Sequence, residues 1–368
     1  MTIKYIPFAL TRRKLLAAAA ATATTLAMPA IAQTRRKIGI SYGIATLDSS
    51  ADAVYASIPI SFGFYAEEGL DVEIMPVAGA QLATNLMVSG QASAMVTGAG
   101  GIFGGRSNGI PVVGFMCPIP DNYQSVAVLK DGPIKSFADM KGQTIGTNSP
   151  ALIPTIEMIV RAQGWDPKDV PVLVVGSSLP ALDALQRGRV QALFLWDAVY
   201  ALFETNGAQL NYFLPEPLRR IGYSQANSTL ASTVEKEPEL IEKIARAMAK
   251  SIVVMAAAEP AELTKLHFQT FPASRPNGLS EQHLIDLDGR RLAARKQFMR
   301  LQQRVFDRTE KIGDVSDEAI EFAATVMFEG KAIKEVLPAS AYFTRQFVPA
   351  MNDFDVAPII ARARAFRA

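Results

Sequence analysis

Reactive side chains are sparse in this chain and poorly spaced for catalysis. His267 and His283 are the only histidines, and their separation of sixteen positions suits neither a zinc site nor a paired helical motif. Cys117 is the sole cysteine, which excludes an intrachain disulfide framework and any cysteine-rich metal or iron–sulfur cluster. No nucleophile, base and orienting group fall together by pattern, so neither an enzyme nor a cofactor or metal is expected. What recurs is the chemistry of holding. Glycine or small neutral polar residues follow one apolar run after another: Tyr42-Gly43-Ile44-Ala45-Thr46, Gly79-Ala80-Gln81, Thr97-Gly98-Ala99 and Thr147-Asn148-Ser149. Glycine lets a backbone approach a ligand closely, and threonine, asparagine, serine and glutamine offer neutral hydrogen bonds. Helix capping accounts for any one of these segments alone; four of them together point to a cleft.

Trp196-Asp197 closes a further apolar run. The indole is suited to wall a flat ligand, and Asp197 to accept from a donor or cap the next helix. Tyr42, Phe103 and Tyr123 are weaker aromatic candidates. Arg106 is the arginine that would pair with a carboxylate or sulfonate, although an arginine within a helix commonly faces solvent.

These residues need elements to position them. Residues 37–42, 70–75, 94–96 and 112–116 read as strands, with helical stretches at 53–65, 81–88 and from 102 to 107 between them. A second series follows, with strands at 144–147, 170–175 and 190–195 and helices at 154–163 and 179–186. Strand alternating with helix at this spacing predicts an α/β class with mostly parallel sheets. In such sheets ligands sit beyond the carboxyl ends of the strands, where the four neutral segments fall. From Pro238 onward only helical candidates remain. The economical arrangement is two α/β lobes around a cleft with the helical region packed on the first. The expected division is 35–126 plus 232–368 for lobe 1 and 127–231 for lobe 2, joined by a two-stranded hinge whose second crossing lies near Asn227 to Thr233.

The amino terminus speaks to compartment. Lys4, Arg12, Arg13 and Lys14 precede an apolar run over 15–28, and Ala30-Ile31-Ala32 offers a small-x-small cleavage site. This is the order of a secretory signal peptide over 1–32, and Arg12-Arg13 suits twin-arginine export to the periplasm. The run is short of the roughly 20 residues that span a bilayer. The whole chain has 37 basic and 35 acidic residues; removing four basic residues and no acidic one with the signal leaves an acidic excess of two. A near-neutral chain without a long basic block gives no support to nucleic-acid binding.

Gly63-Phe64-Tyr65-Ala66-Glu67-Glu68-Gly69-Leu70-Asp71-Val72-Glu73 resembles the opening of the NMT1/THI5-like solute-binding proteins of ABC importers, a family that includes nitrate, taurine and sulfonate binders. Ser89-Gly90-Gln91, Ile134-Lys135-Ser136-Phe137-Ala138-Asp139-Met140-Lys141-Gly142, Gly164-Trp165-Asp166-Pro167-Lys168-Asp169-Val170 and residues 181–190 continue the likeness in order, over roughly 38–260. Relatives carry an acidic residue where this chain has Gln91-Ala92-Ser93-Ala94 and Val190-Gln191-Ala192, so the ligand class does not transfer directly. The resemblance implies a type II periplasmic-binding-protein fold, and the expected function on it is capture of a small organic anion by a monomer that delivers it to an ABC permease. The same resemblance reaches a thiamine-pyrimidine-synthase-like enzyme as an alternative, and a ligand-sensing receptor subunit is a third reading on the same fold.

Overall fold

Residues 35–276 and 278–368 are described by a computed structural model; the expected export signal over 1–32 lies outside the described residues. Strands β1 (Arg36–Tyr42), β2 (Leu70–Pro76), β3 (Ala94–Gly98) and β4 (Val112–Ile119) lie in one sheet, and β5 (Gln124–Leu129), β6 (Ile145–Thr147), β7 (Val172–Val174), β8 (Ala192–Trp196) and β9 (Leu210–Phe213) in another. Strand β10 (Gln225–Leu230) returns to the first sheet, giving the orders β2-β1-β3-β10-β4 and β7-β6-β8-β5-β9. Neighbours β2, β1 and β3 run parallel, as do β7, β6 and β8, while β10 and β5 are antiparallel to the strands on both sides. One returning strand in each sheet is the mark of a chain that crosses between lobes twice.

The crossings differ from the expected boundaries. Strand β5 already belongs to lobe 2 from Gln124, and β10 belongs to lobe 1 from Gln225. The second crossing therefore precedes Gln225 instead of falling near Asn227 to Thr233. Asn227, Ser228 and Thr229 look like linker residues by type, yet all three are fully buried in a central strand. Their backbone is paired on both edges, and Thr229 Oγ1 donates to the Ser93 carbonyl at 2.7 Å, whereas Asn227 Oδ1 and Ser228 Oγ are buried without a hydrogen-bond partner.

The helices that shape the cleft are α1 (Ala80–Val88) and α2 (Gly100–Ser107) in lobe 1, and α3 (Ile153–Ala162) and α4 (Asp197–Thr205) in lobe 2. Beyond β10, α5 (Pro238–Ala257) buries Leu240, Ile241, Ile244, Met248 and Ile252 against lobe 1, the three-and-four spacing of an apolar helix face. Two later helices, α6 (Glu281–Phe298) and α7 (Asp317–Glu329), start at serine caps, with Ser280 Oγ accepting from the His283 N–H and Ser316 Oγ from the Ala319 N–H, both at 3.2 Å.

These two helices reach further than packing on lobe 1 requires. Phe322 and Val326 of α7 enter the apolar core of lobe 2, and the Arg220 guanidinium lies 4.2 Å over the Phe322 ring. Gly330 ends α7 so close to Pro154 that a methyl group there would overlap the proline ring. Among the described residues no helix is long and apolar enough to cross a membrane.

Candidate functional site

The cleft lies where the carboxyl ends of β1, β3 and β8 face one another. It holds two adjoining cavities of about 510 and 450 Å³, both walled by Gly43, Thr97, Gly98, Tyr123, Gln124 and Leu152.

One wall is built by the turn after β1. Asp48 caps it: Oδ1 accepts from the Ser50 N–H at 2.8 Å and the Ala51 N–H at 3.1 Å, while Asp52 Oδ2 accepts from the Asp48 N–H at 2.7 Å. Facing them, Asp288, Arg291 and Arg295 recur three and four residues apart on α6 and so share a face. Each of the three guanidinium nitrogens of Arg291 is engaged by that arrangement. Arg291 donates to Asp48 Oδ2 at 2.5 Å, to Asp288 Oδ1 at 2.9 Å and to the Ala198 carbonyl of α4 at 3.1 Å. Arg295 lies 4.9 Å over the Tyr123 ring, with Nε 3.2 Å from Asp197 Oδ2 in an ion pair that lacks hydrogen-bond alignment.

The carboxylates are pulled apart electrostatically. Burial pushes Asp48 up, but the Arg291 charge and the Ser50 and Arg291 hydrogen bonds outweigh it and hold the carboxyl at about 2. Burial dominates at Asp52, and the charge of Asp48 adds to it; although the Asp48 N–H and the two arginines oppose the rise, the group is pushed up to about 7. Asp197 is raised by burial against the opposing charge of Arg295. Asp52 is therefore the cleft carboxyl poised to change charge near neutrality.

Four buried polar atoms in the cavity walls have no hydrogen-bond partner: Tyr42 Oη, Asn148 Oδ1, Ser224 Oγ and Arg295 Nε. Lobe 1, lobe 2, the crossing before β10 and α6 contribute one each. Unsatisfied groups of this kind are costly in a finished core and suited to a site that receives a polar molecule.

The neutral segments divide. Tyr42, Gly43, Thr97, Gly98, Asn148, Ser149 and Trp196 line the first cavity, and Ala80 and Ala99 the second, where Phe103 also lies. The remaining candidates do not line either cavity. Ala45 and Thr46 are exposed, with Ile44 lining the wall beside them. Gly79 takes φ +97° in the turn into α1, and Gln81 points its amide at Asn85, 3.1 Å away. Thr147 is buried and donates to the Phe194 carbonyl at 3.3 Å, joining β6 to β8. Arg106 sits in the last turn of a helix that meets the cleft at its first turn, and its Nε donates to the Val112 carbonyl at 2.7 Å. Asp197 is ion-paired with Arg295 of the protein itself. Asp48, Asp52, Arg291, Arg295, Gln124 and Gln225 line the first cavity without having been singled out. Three-and-four spacing of charges among apolar residues on α6 was the available signal.

The groups that would suit catalysis lie elsewhere. Ser57 Oγ is 3.1 Å from His267 Nδ1, but both residues are fully buried in the lobe 1 core and line neither cavity. Cys117 is also fully buried, and burial pushes its thiol up to about 12. His283 is exposed on α6. Among the described residues no group of three or more histidine, cysteine, aspartate and glutamate side chains could hold a metal ion.

Comparison with known proteins adds the following. The family model described as NMT1/THI5 like matches residues 58–263. The formylaminopyrimidine-binding protein of Halalkalibacterium halodurans is 28% identical over 174 residues, 46% of this chain and 52% of that protein. The chain spans about half the length of the curated relatives it matches. Among solved structures, the periplasmic aliphatic sulphonate binding protein SsuA of Escherichia coli aligns with a TM-score of 0.64 at 14% identity, covering 84% of this chain and 92% of that one. The desulfurization enzyme DSZB aligns with a TM-score of 0.56 at 15% identity, covering 86% and 99%. At these identities the likeness shows the fold, a two-lobed α/β architecture of the type II periplasmic-binding-protein kind.

Proposed function

We propose that this chain, which belongs to the NMT1/THI5-like family, is a periplasmic solute-binding protein that captures a small organic molecule between its lobes and delivers it unchanged to an ABC permease. The observation that carries this reading is the set of unpartnered buried polar atoms contributed to one cleft from both lobes, their crossing and α6. The lining residues named above, with Arg295 as the cation, are the proposed contacts. An organic anion is the first choice of solute, because Arg295 lines the cavity as a buried cation whose ion pair with Asp197 lacks hydrogen-bond alignment. Closing of the lobes on the ligand would create the surface the permease reads. Native mass spectrometry of protein taken from its own periplasm should release an organic compound of unaltered mass, and solution scattering should show compaction when that compound is returned. Turnover of the compound by the purified protein would overturn the delivery role.

A second reading is a neutral nitrogen heterocycle. Two observations favour it: Arg291 is ion-paired with Asp48 and Asp288, and Asp52 offers a carboxylate to ring and exocyclic N–H donors. The matched relative from Halalkalibacterium halodurans carries the name of a formylaminopyrimidine binder.

A further inference from the structure

A further cavity, of about 470 Å³, lies beyond the end of β4 and shares no wall residue with the cleft. Pro120, at the first crossing, forms one side, and the turn after α6 and the start of α7 form much of the rest. Four cations, Arg300, Arg304, Lys311 and Arg345, line it against two carboxylates, Glu310 and Asp314. Both carboxylates are engaged within the protein. Asp314 Oδ1 accepts from the Val315 N–H at 2.8 Å and from Arg345 Nε at 3.0 Å, and Glu310 Oε1 lies 3.1 Å from Arg300 Nη2. Asp317 pairs with Arg345, and Asp121 with Arg300, but neither carboxylate lines the cavity. Lys311 is exposed.

Arg304 is only 2% exposed, and neutral groups hold its guanidinium in place. Nη1 donates to the Cys117 and Pro118 carbonyls, each at 3.2 Å, and Nη2 to the Asp314 carbonyl at 2.8 Å. Nε has no hydrogen-bond partner; Glu310 Oε2 stands 3.8 Å from it, in an ion pair too long for a hydrogen bond. A buried donor left in this way is costly unless an acceptor completes it. The start of α7 adds to the same wall. Ser316 caps this helix of 13 residues by accepting from the Ala319 N–H at 3.2 Å, which leaves its own proton to donate into the cavity it lines.

We propose that this cavity is a second binding site, separate from the solute cleft, for a small multivalent oxyanion of the sulfate, phosphate or polycarboxylate type. The lining carries two more cations than carboxylates, which matches a dianion better than a singly charged ion. Arg304 Nε and the Ser316 hydroxyl are directed donors, suited to the oxygens of such a group, and the positive end of α7 adds to their field. Lys311 completes the charge from the solvent side. The fixed carbonyl contacts of Arg304 mean that its donor is in place before the anion arrives, so little ordering opposes binding.

The test titrates the full chain with sulfate, phosphate and citrate in calorimetry, against chloride at matched ionic strength. At least one of the three should bind where chloride does not, and the order of affinity names the class. Replacing Arg304 risks the fold, so exposed lining residues carry the comparison. Lys311→Glu and Thr309→Glu should each weaken binding by at least about tenfold, the scale of one charge-assisted hydrogen bond. Lys168→Glu makes the same charge change on lobe 2 and should leave binding unaltered. Crystals soaked in selenate give the position: an anomalous peak is expected beside Arg304 and Ser316. Binding that survives both cavity variants, or a selenate peak confined to the solute cleft, overturns the site. So does a peak at soaking concentration with no binding in solution. None of these results depends on which solute the cleft takes, so the site stands or falls apart from the delivery role.

Discussion

Arg295 Nε of α6 lies 3.2 Å from the carboxylate of Asp197, the first residue of α4, so a helix of the C-terminal region and a helix of lobe 2 are tied by a buried ion pair at the cleft. With Arg291 donating to the Ala198 carbonyl one residue on, the pair makes α6 a latch between the lobes. Arg295→Met removes the partner of a buried carboxylate and should lower stability by about 3 kcal/mol, whereas adding Asp197→Asn should restore part of it. Urea unfolding of the two variants checks this; equal midpoints would show that the pair is not coupled.

Asp52 sets a pH dependence of stability. Its folded value of about 7 stands above the ordinary 3.8, so the folded state holds a proton that the unfolded chain has released between those limits. The contribution is fully present below about pH 4 and is lost as pH rises through about 7, with a slope of up to ~1.4 kcal/mol per pH unit. Urea midpoints of the parent and Asp52→Asn should therefore converge or cross along this window, and parallel curves would contradict the assignment.

The same carboxyl reports the charge of the ligand. A sulfonate keeps its charge throughout this range, so its affinity should fall as Asp52 ionises near pH 7. A neutral N–H donor should bind more tightly over the same rise. Calorimetry from pH 6 to 8 distinguishes the two by sign, and Asp52→Asn should flatten either curve.

His267 acts in the opposite direction. Burial lowers it from 6.5 to about 4, against a small upward pull from Asp48. Its contribution to stability is present above about pH 6.5 and is lost as pH falls toward 4, because the unfolded chain takes up the proton first. His267→Gln should show a shallower loss in acid than the parent, measured by thermal unfolding.

Trp196 lines the cleft, while Trp165 stacks on Phe137 at 6.1 Å within lobe 2. The solute should change fluorescence through Trp196 alone. Trp196→Phe is expected to remove the signal and weaken binding by about tenfold, the scale of an aromatic contact, and Trp165→Phe to change neither. A signal that survives Trp196→Phe would take the indole out of the site.

The sequence by itself determined the alternation of strand and helix and the loops at the carboxyl ends of β1, β3 and β6, because side-chain periodicity and turn chemistry are local. Gly43, Gly98 and Asn148 were legible for that reason. Asn227, Ser228 and Thr229 were misread because polarity does not reveal a central strand whose edges are both paired. The charged half of the cleft was decided only by tertiary structure. Asp48 and Arg291 stand 243 residues apart, and either one alone reads as a solvated surface charge. Folding excludes water from both and brings them within 2.5 Å; burial raises both carboxyls, but the Arg291 charge and the Ser50 and Arg291 hydrogen bonds, which no local pattern encodes, hold Asp48 at about 2 while Asp52 rises to about 7.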